Sequence, residues 1–255
     1  LIIPEFFICI IGSGSYYENS FIDKLKRKIN GIIRRIIIKI IRLLGLTIKT
    51  NKKIVNFAHP ASGNDILRIV IHSITGGRHL KLIEREKDKF GNRAEMTLDF
   101  LINNDTRMKN DDIINYHLAN NKKTKEFCQY FIDNNYILFL TIRDPRDVLL
   151  SKYGRIIRDD DMHYNKLFHS LKNRVKGFEI LLKDGFMNKK NTDPLPIVYE
   201  DYLRWTENKN VLTVQYEHIV GINGLNKSDK KNNLKRKIAF NNQNKLIDMI
   251  YSHLG

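Results

Sequence analysis

Two short segments of this sequence carry side chains able to hold a multiply charged anion. In the first, Thr141-Ile142-Arg143-Asp144-Pro145-Arg146-Asp147-Val148-Leu149-Leu150-Ser151, an arginine closes an apolar run and a serine follows eight residues later. A guanidinium offers a planar fork of charged donors and a hydroxyl adds one more, a donor set suited to a phosphate. The competing reading is a surface ion-pair network among Arg143, Asp144, Arg146 and Asp147. The second segment is the turn His59-Pro60-Ala61-Ser62-Gly63-Asn64-Asp65. A helix starting there would present backbone N–H groups and the positive end of its dipole, which bind phosphate or sulfate. Ser62 adds a hydroxyl, and Gly63 lets an anion come close to the backbone. The turn lacks the Gly-Lys-Ser/Thr ending of a nucleoside-triphosphate loop, which argues against an ordinary ATPase or GTPase.

These segments need strands and helices to position them. Ile54-Val55-Asn56-Phe57-Ala58 reads as a short strand before the turn, and residues 66–74 read as a helix stopped by Gly76-Gly77. Residues 136–142 are almost wholly apolar, which predicts a strand buried on both faces. Asp144 is then placed to cap a helix with Pro145 at its first position, running to about Arg158. A third strand is expected over Val211–Tyr216, and the basic stretch 226–237 reads as a solvated loop or helix entry. Strands alternating with helices predict an α/β domain of three layers around a central parallel sheet. Arg143 would then stand at the carboxyl end of a strand, the edge at which such sheets bind ligands.

The segment Arg143-Asp144-Pro145-Arg146-Asp147-Val148 with Ser151 closely resembles the 3'-phosphate-binding motif of the sulfotransferases that use 3'-phosphoadenosine-5'-phosphosulfate (PAPS). Other segments resemble that family in the same order. Pro60-Ala61-Ser62-Gly63-Asn64 is similar to its 5'-phosphosulfate loop. Asn115-Tyr116-His117-Leu118 is similar to the segment bearing its catalytic histidine. Trp205 and the stretch Asn210 to Gly221, with Tyr216, resemble its later strand. The resemblance covers roughly residues 54–255 and implies a P-loop-like sulfotransferase fold. It implies that Arg143 and Ser151 contact the 3'-phosphate and that Ser62, Gly63, Asn64 and Asp65 hold the 5'-phosphate and sulfonyl oxygens. Tyr216 would lie near the adenine, and His117 would act as general base on an acceptor hydroxyl. The implied partners are PAPS as co-substrate and a hydroxyl- or amine-bearing acceptor, whether glycan, lipid or small molecule. No metal and no nucleic acid are expected.

The sequence departs from the family pattern at several points. Ala61 stands where the family loop carries Lys or Arg, Asp65 where a hydroxyl residue is usual, and Ile66 where an aromatic often stacks on the base. Lys52, Lys53 and Arg68 are candidates to replace the missing cation. A carboxylate beside a phosphosulfate repels it unless it is paired or turned away. The family's Gly-rich basic C-terminal segment is not found before Gly255, so that segment is expected to be missing from this sequence. A relative that binds the nucleotide without transferring sulfonate is therefore the first alternative reading.

Composition bounds the remaining choices. The chain has 255 residues, 42% of them hydrophobic, with 44 Lys plus Arg against 28 Asp plus Glu. That is enough apolar residue to build a core. Cys9 and Cys128 fit neither a disulfide scaffold nor a cysteine zinc site. The formal charge of +16 attracts nucleic acid, anionic lipid or phosphorylated ligands. The joint enrichment in Ile, Asn and Lys offers a second origin for it, an AT-rich coding sequence. A basic nucleic-acid-binding protein is a further alternative, though no zinc finger, aromatic RNA-binding motif or helix-turn-helix signature is present. Residues 1–53 read as a basic, partly helical N-terminal extension carrying +8. Within it, residues 24–44 place isoleucines on one helix face and Lys and Arg on another. That is a candidate for peripheral membrane contact, the alternative being packing of the Ile face on the main domain. The expected localisation is cytoplasmic, with a membrane-peripheral variant.

Overall fold

The computed structural model describes residues 36, 47–58, 62–80, 98–116, 125–158, 165–171, 173–184 and 195–255. Of the basic helix expected over 24–44, all but Ile36 lies outside the described residues. The chain runs β1 (Ile54–Ala58), α1 (Asn64–Thr75), β2 (His79–Leu80), α2 (Leu98–Asp105), β3 (Ile113–Tyr116), α3 (Lys125–Asp133) and β4 (Ile137–Ile142). It continues with α4 (Pro145–Arg158), α5 (Asn165–Ser170), α6 (Arg174–Asp184), α7 (Leu195–Leu203), β5 (Val211–Gln215), α8 (Tyr216–Val220) and α9 (Asn233–Leu254). Among the described residues the strands form one five-stranded sheet in the order β2-β3-β1-β4-β5. Every pairing in it is parallel, with Ile54 opposite both Ile113 and Ile137. The expected α/β architecture is thus present, as are the three expected strands.

Period-two alternation divides the core between the two sheet faces. Val55, Phe57, Leu138 and Leu140 pack on one side with Phe127 and Phe131 of α3, Tyr202 and Trp205. Ile54, Ile137 and Phe139 pack on the other with Leu67, Ile71 and Ile74 of α1 and Leu246, Ile250 and Leu254 of α9. Strands covered on both faces must be apolar throughout, and β1 is buried at all five positions. The indole of Trp205 is fully enclosed and stacks on Phe57, with centroids 3.8 Å apart and planes within 11°. Helices α4 to α6 build a satellite cluster from Tyr153, Ile156, Phe168 and Leu181.

Local signals explain the ends of the elements. Helix α1 stops because Gly76 turns into the left-handed region (φ 69°) and returns its N–H to the His72 carbonyl. Helix α4 begins where Asp144 accepts from the Arg146 N–H at 2.9 Å, with Pro145 next in line. Two boundaries differ from expectation. Helix α1 begins at Asn64, before the first periodic residue. Tyr216 is the first residue of α8 and lies outside the strand predicted to contain it. The ladder runs out at Ile142 opposite Gln215, and Ile142 is the last residue of β4. Tyr216 therefore has no strand partner to pair with.

Chain topology opens a crevice at one edge of the sheet. The connection after β1 passes over the face that holds α1, whereas those after β3 and β4, its two neighbours, pass over the opposite face. Divergence of this kind leaves space outside the carboxyl ends of the strands. Residues 62–65 and Arg143 both follow strand ends at that edge.

Candidate functional site

Three of the residues singled out in the sequence meet at this edge. Gly63 heads α1 in the left-handed conformation (φ 92°, ψ 20°). The ring of Tyr216 lies directly against it, so that a Cβ on residue 63 would stand 2.1 Å from the ring Cδ2. The guanidinium of Arg143 sits over the same ring, 4.2 Å from its centroid. This is cation–π geometry on a half-buried arginine. Tyr216 thus joins the head of α1 to the end of β4 through its ring.

Arg143 is held from other directions too. Its backbone carbonyl accepts a hydrogen bond from the Tyr199 hydroxyl of α7. Its Nη2 lies 3.8 Å from the Asp147 carboxylate one turn into α4. Burial pushes the Tyr199 phenol up, with the hydrogen bond to Arg143 opposing that shift. Beside it, Asp144 binds Arg146 through its side chain and its backbone N–H donates to Glu217 Oε1 at 3.1 Å. The Arg146 guanidinium and backbone N–H hold the Asp144 carboxyl down at about 2, so it is ionised at neutral pH. Both pairs of the ion-pair reading, Asp144–Arg146 and Arg143–Asp147, are therefore present.

The two helix heads at the edge differ. That of α4 is closed by the Asp144 carboxylate. That of α1 has glycine as its N-cap and no side-chain cap hydrogen bond. The first N–H groups of a helix lack intrahelical acceptors, so an uncapped head is where the dipole and the donors favour an added anion. Ser62, next to it, is fully buried, and Gly63 offers its carbonyl to the Ile66 N–H at 2.9 Å.

The remaining predicted residues are placed as follows. Asn64 opens α1, and its side chain lies outside the described residues. The exposed Asp65 carboxylate pairs with Arg68 at 3.2 Å, one turn along α1, which turns its charge away from the loop. Ser151 is half-buried on α4, about 9 Å of helix beyond Pro145 at 1.5 Å per residue. His117 and the loop residues His59, Pro60 and Ala61 lie outside the described residues. His117 follows directly on Tyr116, the last residue of β3, which is in register with Phe57 of β1.

Two of the three candidates for the missing loop cation, Lys53 and Arg68, have side-chain partners of their own. Lys52 and Lys53 precede β1 and stand at the amino edge, a strand length of about 17 Å from the loop. Lys53 is bound to the Asp105 carboxylate. Arg68 holds Asp65 and donates through Nη1 to His79 Nδ1 at 2.7 Å.

Sequence reasoning missed the polar layer beneath the crevice. Asn56 of β1, fully buried, donates to Asn115 Oδ1 of β3 at 3.2 Å and accepts from the Thr141 hydroxyl of β4 at 2.9 Å. This ladder crosses three strands just below the loop. A polar Asn56 inside an apolar strand was a readable signal; its partners, 59 and 85 residues away, were not. Lys152, next to Ser151, is also buried, and burial, then Arg155, pushes its ammonium down to about 8.

No family model matches this sequence, and no curated protein sequence matches it. Among solved structures, the chain is similar to the mouse sulfotransferase SULT7A1 complexed with PAP, at 16% sequence identity and a TM-score of 0.47. The similarity covers 83% of this chain and 61% of that one, so this chain spans about three fifths of the length of the protein it matches.

Proposed function

We propose that this chain transfers a sulfonate group from PAPS to a hydroxyl or amine of an acceptor, a glycan, a lipid or a small molecule. The observation that carries the reading is the meeting of Gly63, Tyr216 and Arg143. Three separate segments that resemble sulfotransferase motifs converge there on one edge of the sheet. The residues fit the nucleotide's chemistry: an uncapped helix head and, beside it, an arginine backed by an aromatic ring.

PAPS supplies an electrophilic sulfur and a phosphate leaving group. Arg143 binds and orients the 3'-phosphate, with the Ser151 hydroxyl as a second donor. The amides at the head of α1, from Ser62 to Asp65, hold the 5'-phosphate and offset charge as it grows on the leaving oxygen. His117 takes the proton of the acceptor hydroxyl, a contribution of ~10²–10⁴-fold in rate. Calorimetric titration with 3'-phosphoadenosine-5'-phosphate tests the reading. Binding that is lost in Arg143→Ala supports it, and binding that survives the substitution overturns it.

A second reading, a relative that binds the nucleotide without transferring sulfonate, is favoured by the pairing of Lys53 with Asp105 and of Arg68 with Asp65. Lys53 and Arg68 already pair with carboxylates, and Lys52 precedes β1, at the opposite end of the strand from the loop. Ala61→Lys separates the readings. A rise in sulfonate transfer supports an impaired enzyme, and unchanged transfer with intact nucleotide binding supports a binding role.

A further inference from the structure

Helix α9 packs on the sheet through Leu246, Ile250 and Leu254 and on α8 through Gln243, which donates to the Ile219 carbonyl. Its first six residues, 233–238, are exposed on every side. A second stripe runs along the helix about 105–165° round from the centre of the packed one, at 100° per residue. It carries Leu234, Ile238 and Met249, which are 67%, 50% and 41% exposed. Lys245 lies on the same stripe between Ile238 and Met249. Large apolar side chains repeated along one exposed helix face are costly in water unless something covers them.

The charge around the stripe states what that is. Between residues 226 and 254, Lys227, Lys230, Lys231, Lys235, Arg236, Lys237 and Lys245 face only Asp229 and Asp248. All seven cations are exposed, and Lys235 alone among them has a described ion pair, to Asp229 at 2.5 Å. An apolar stripe flanked by Lys and Arg is the pattern of a helix lying in the plane of an anionic bilayer surface. No helix among the described residues is long and apolar enough to cross a membrane, and this one is suited to lying on it. Nucleic acid would satisfy the cations and leave Leu234, Ile238 and Met249 in water.

We propose that the exposed face of α9, with the basic approach to it at 227–231, docks on an anionic lipid surface and seats Leu234 and Ile238 among the headgroups. This surface is separate from residues 24–44 and independent of the catalytic reading.

Sedimentation of the full chain with phosphatidylcholine vesicles, with and without phosphatidylserine, tests it. Two variants separate the contributions, Leu234→Ser with Ile238→Ser, and Lys230→Gln with Lys231→Gln and Lys237→Gln. All five positions are exposed, so both variants keep the core intact. Binding to the serine-containing vesicles is expected, with roughly a hundredfold loss in the lysine variant at about one surface charge contact per lysine. About a tenfold loss is expected in the apolar variant. Absence of binding to the anionic vesicles overturns the proposal. So does binding that both variants retain, which would assign the lipid contact to another part of the chain. Binding to duplex DNA in place of vesicles, lost in the lysine variant and kept in the apolar one, overturns it in favour of nucleic acid.

Discussion

The guanidinium of Arg143 and the ring of Tyr216 are stacked with 4.2 Å between the charge and the ring centroid. The ring also lies against Gly63. One side chain therefore bridges the head of α1 and the end of β4 through its ring.

Tyr216→Phe keeps the ring with its Gly63 and Arg143 contacts and is expected to be less destabilising than Tyr216→Ala. Tyr216→Ala removes both contacts and should cost about 2–4 kcal/mol, the range for large-to-small changes at a half-buried aromatic. Urea unfolding measures both. A Phe variant as destabilised as the Ala variant would show that the hydroxyl, not the stack, holds the site.

Thr141 donates to Asn56, and Asn56 donates to Asn115, so the ladder loses its first donor in Thr141→Val. An amide oxygen left unsatisfied in a fully buried layer costs about 1–3 kcal/mol, and the isosteric side chain leaves no cavity to add to it. Equilibrium unfolding gives the number. A neutral outcome would mean that Asn56 finds another partner.

Asp105 collects Lys53 and the hydroxyls of Tyr130 and Tyr136. Burial alone would raise its carboxyl, yet these donors outweigh it and hold the group below its ordinary value. A carboxyl that is more acidic in the folded state stabilises the fold above its unfolded value of about 4, and this contribution fades as pH falls toward the folded value. Asp105→Asn should therefore cost about 2 kcal/mol at pH 7 through a lost charged hydrogen bond. The gap between wild type and variant should close below about pH 4. A gap independent of pH, followed by urea unfolding across that window, would refute the assignment.

Lys152 is lowered as well, but because its charged form is penalised. Its ammonium is pushed down to about 8 by burial and then by Arg155. The unfolded chain holds that proton more tightly, so stability rises with pH from about 8 to the ordinary lysine value near 10.4. Lys152→Met removes the buried charge and should stabilise the protein at pH 7 by up to ~3 kcal/mol, with the advantage vanishing above about pH 10.4. Thermal unfolding at pH 7 and pH 10.5 measures it. Destabilisation at pH 7 would reveal that Lys152 forms a net favourable contact.

These sites were legible to different degrees in the sequence. Strands β1 and β4 announce themselves as buried apolar runs, and α4 by the Asp-Pro at its head. The head of α1 was marked by Ser62-Gly63, and its left-handed glycine agrees with that reading. Strand β2 has two residues and β3 has four, with Asn115 inside it, too short for any period to emerge. That Tyr216 starts a helix depends on where its neighbour β4 ends, which is a property of the pairing rather than of the segment. The Asp65–Arg68 pair was visible as helical spacing. That Lys52 and Lys53 sit at the opposite end of β1 from the loop follows from chain order once 54–58 is read as a strand.

The central place of β1 has a consequence for the chain as it is synthesised. Both flanks of this fully buried strand are filled by segments that come later, at Ile113 and Ile137. About 80 residues separate the end of β1 from the start of β4, or ~4–16 s of translation. Throughout that interval an apolar strand stands beside the exit tunnel with an open edge. The nascent chain is therefore most vulnerable to aggregation before residue 137 emerges, and a chaperone that shields residues 54–58 would have its greatest effect in that window.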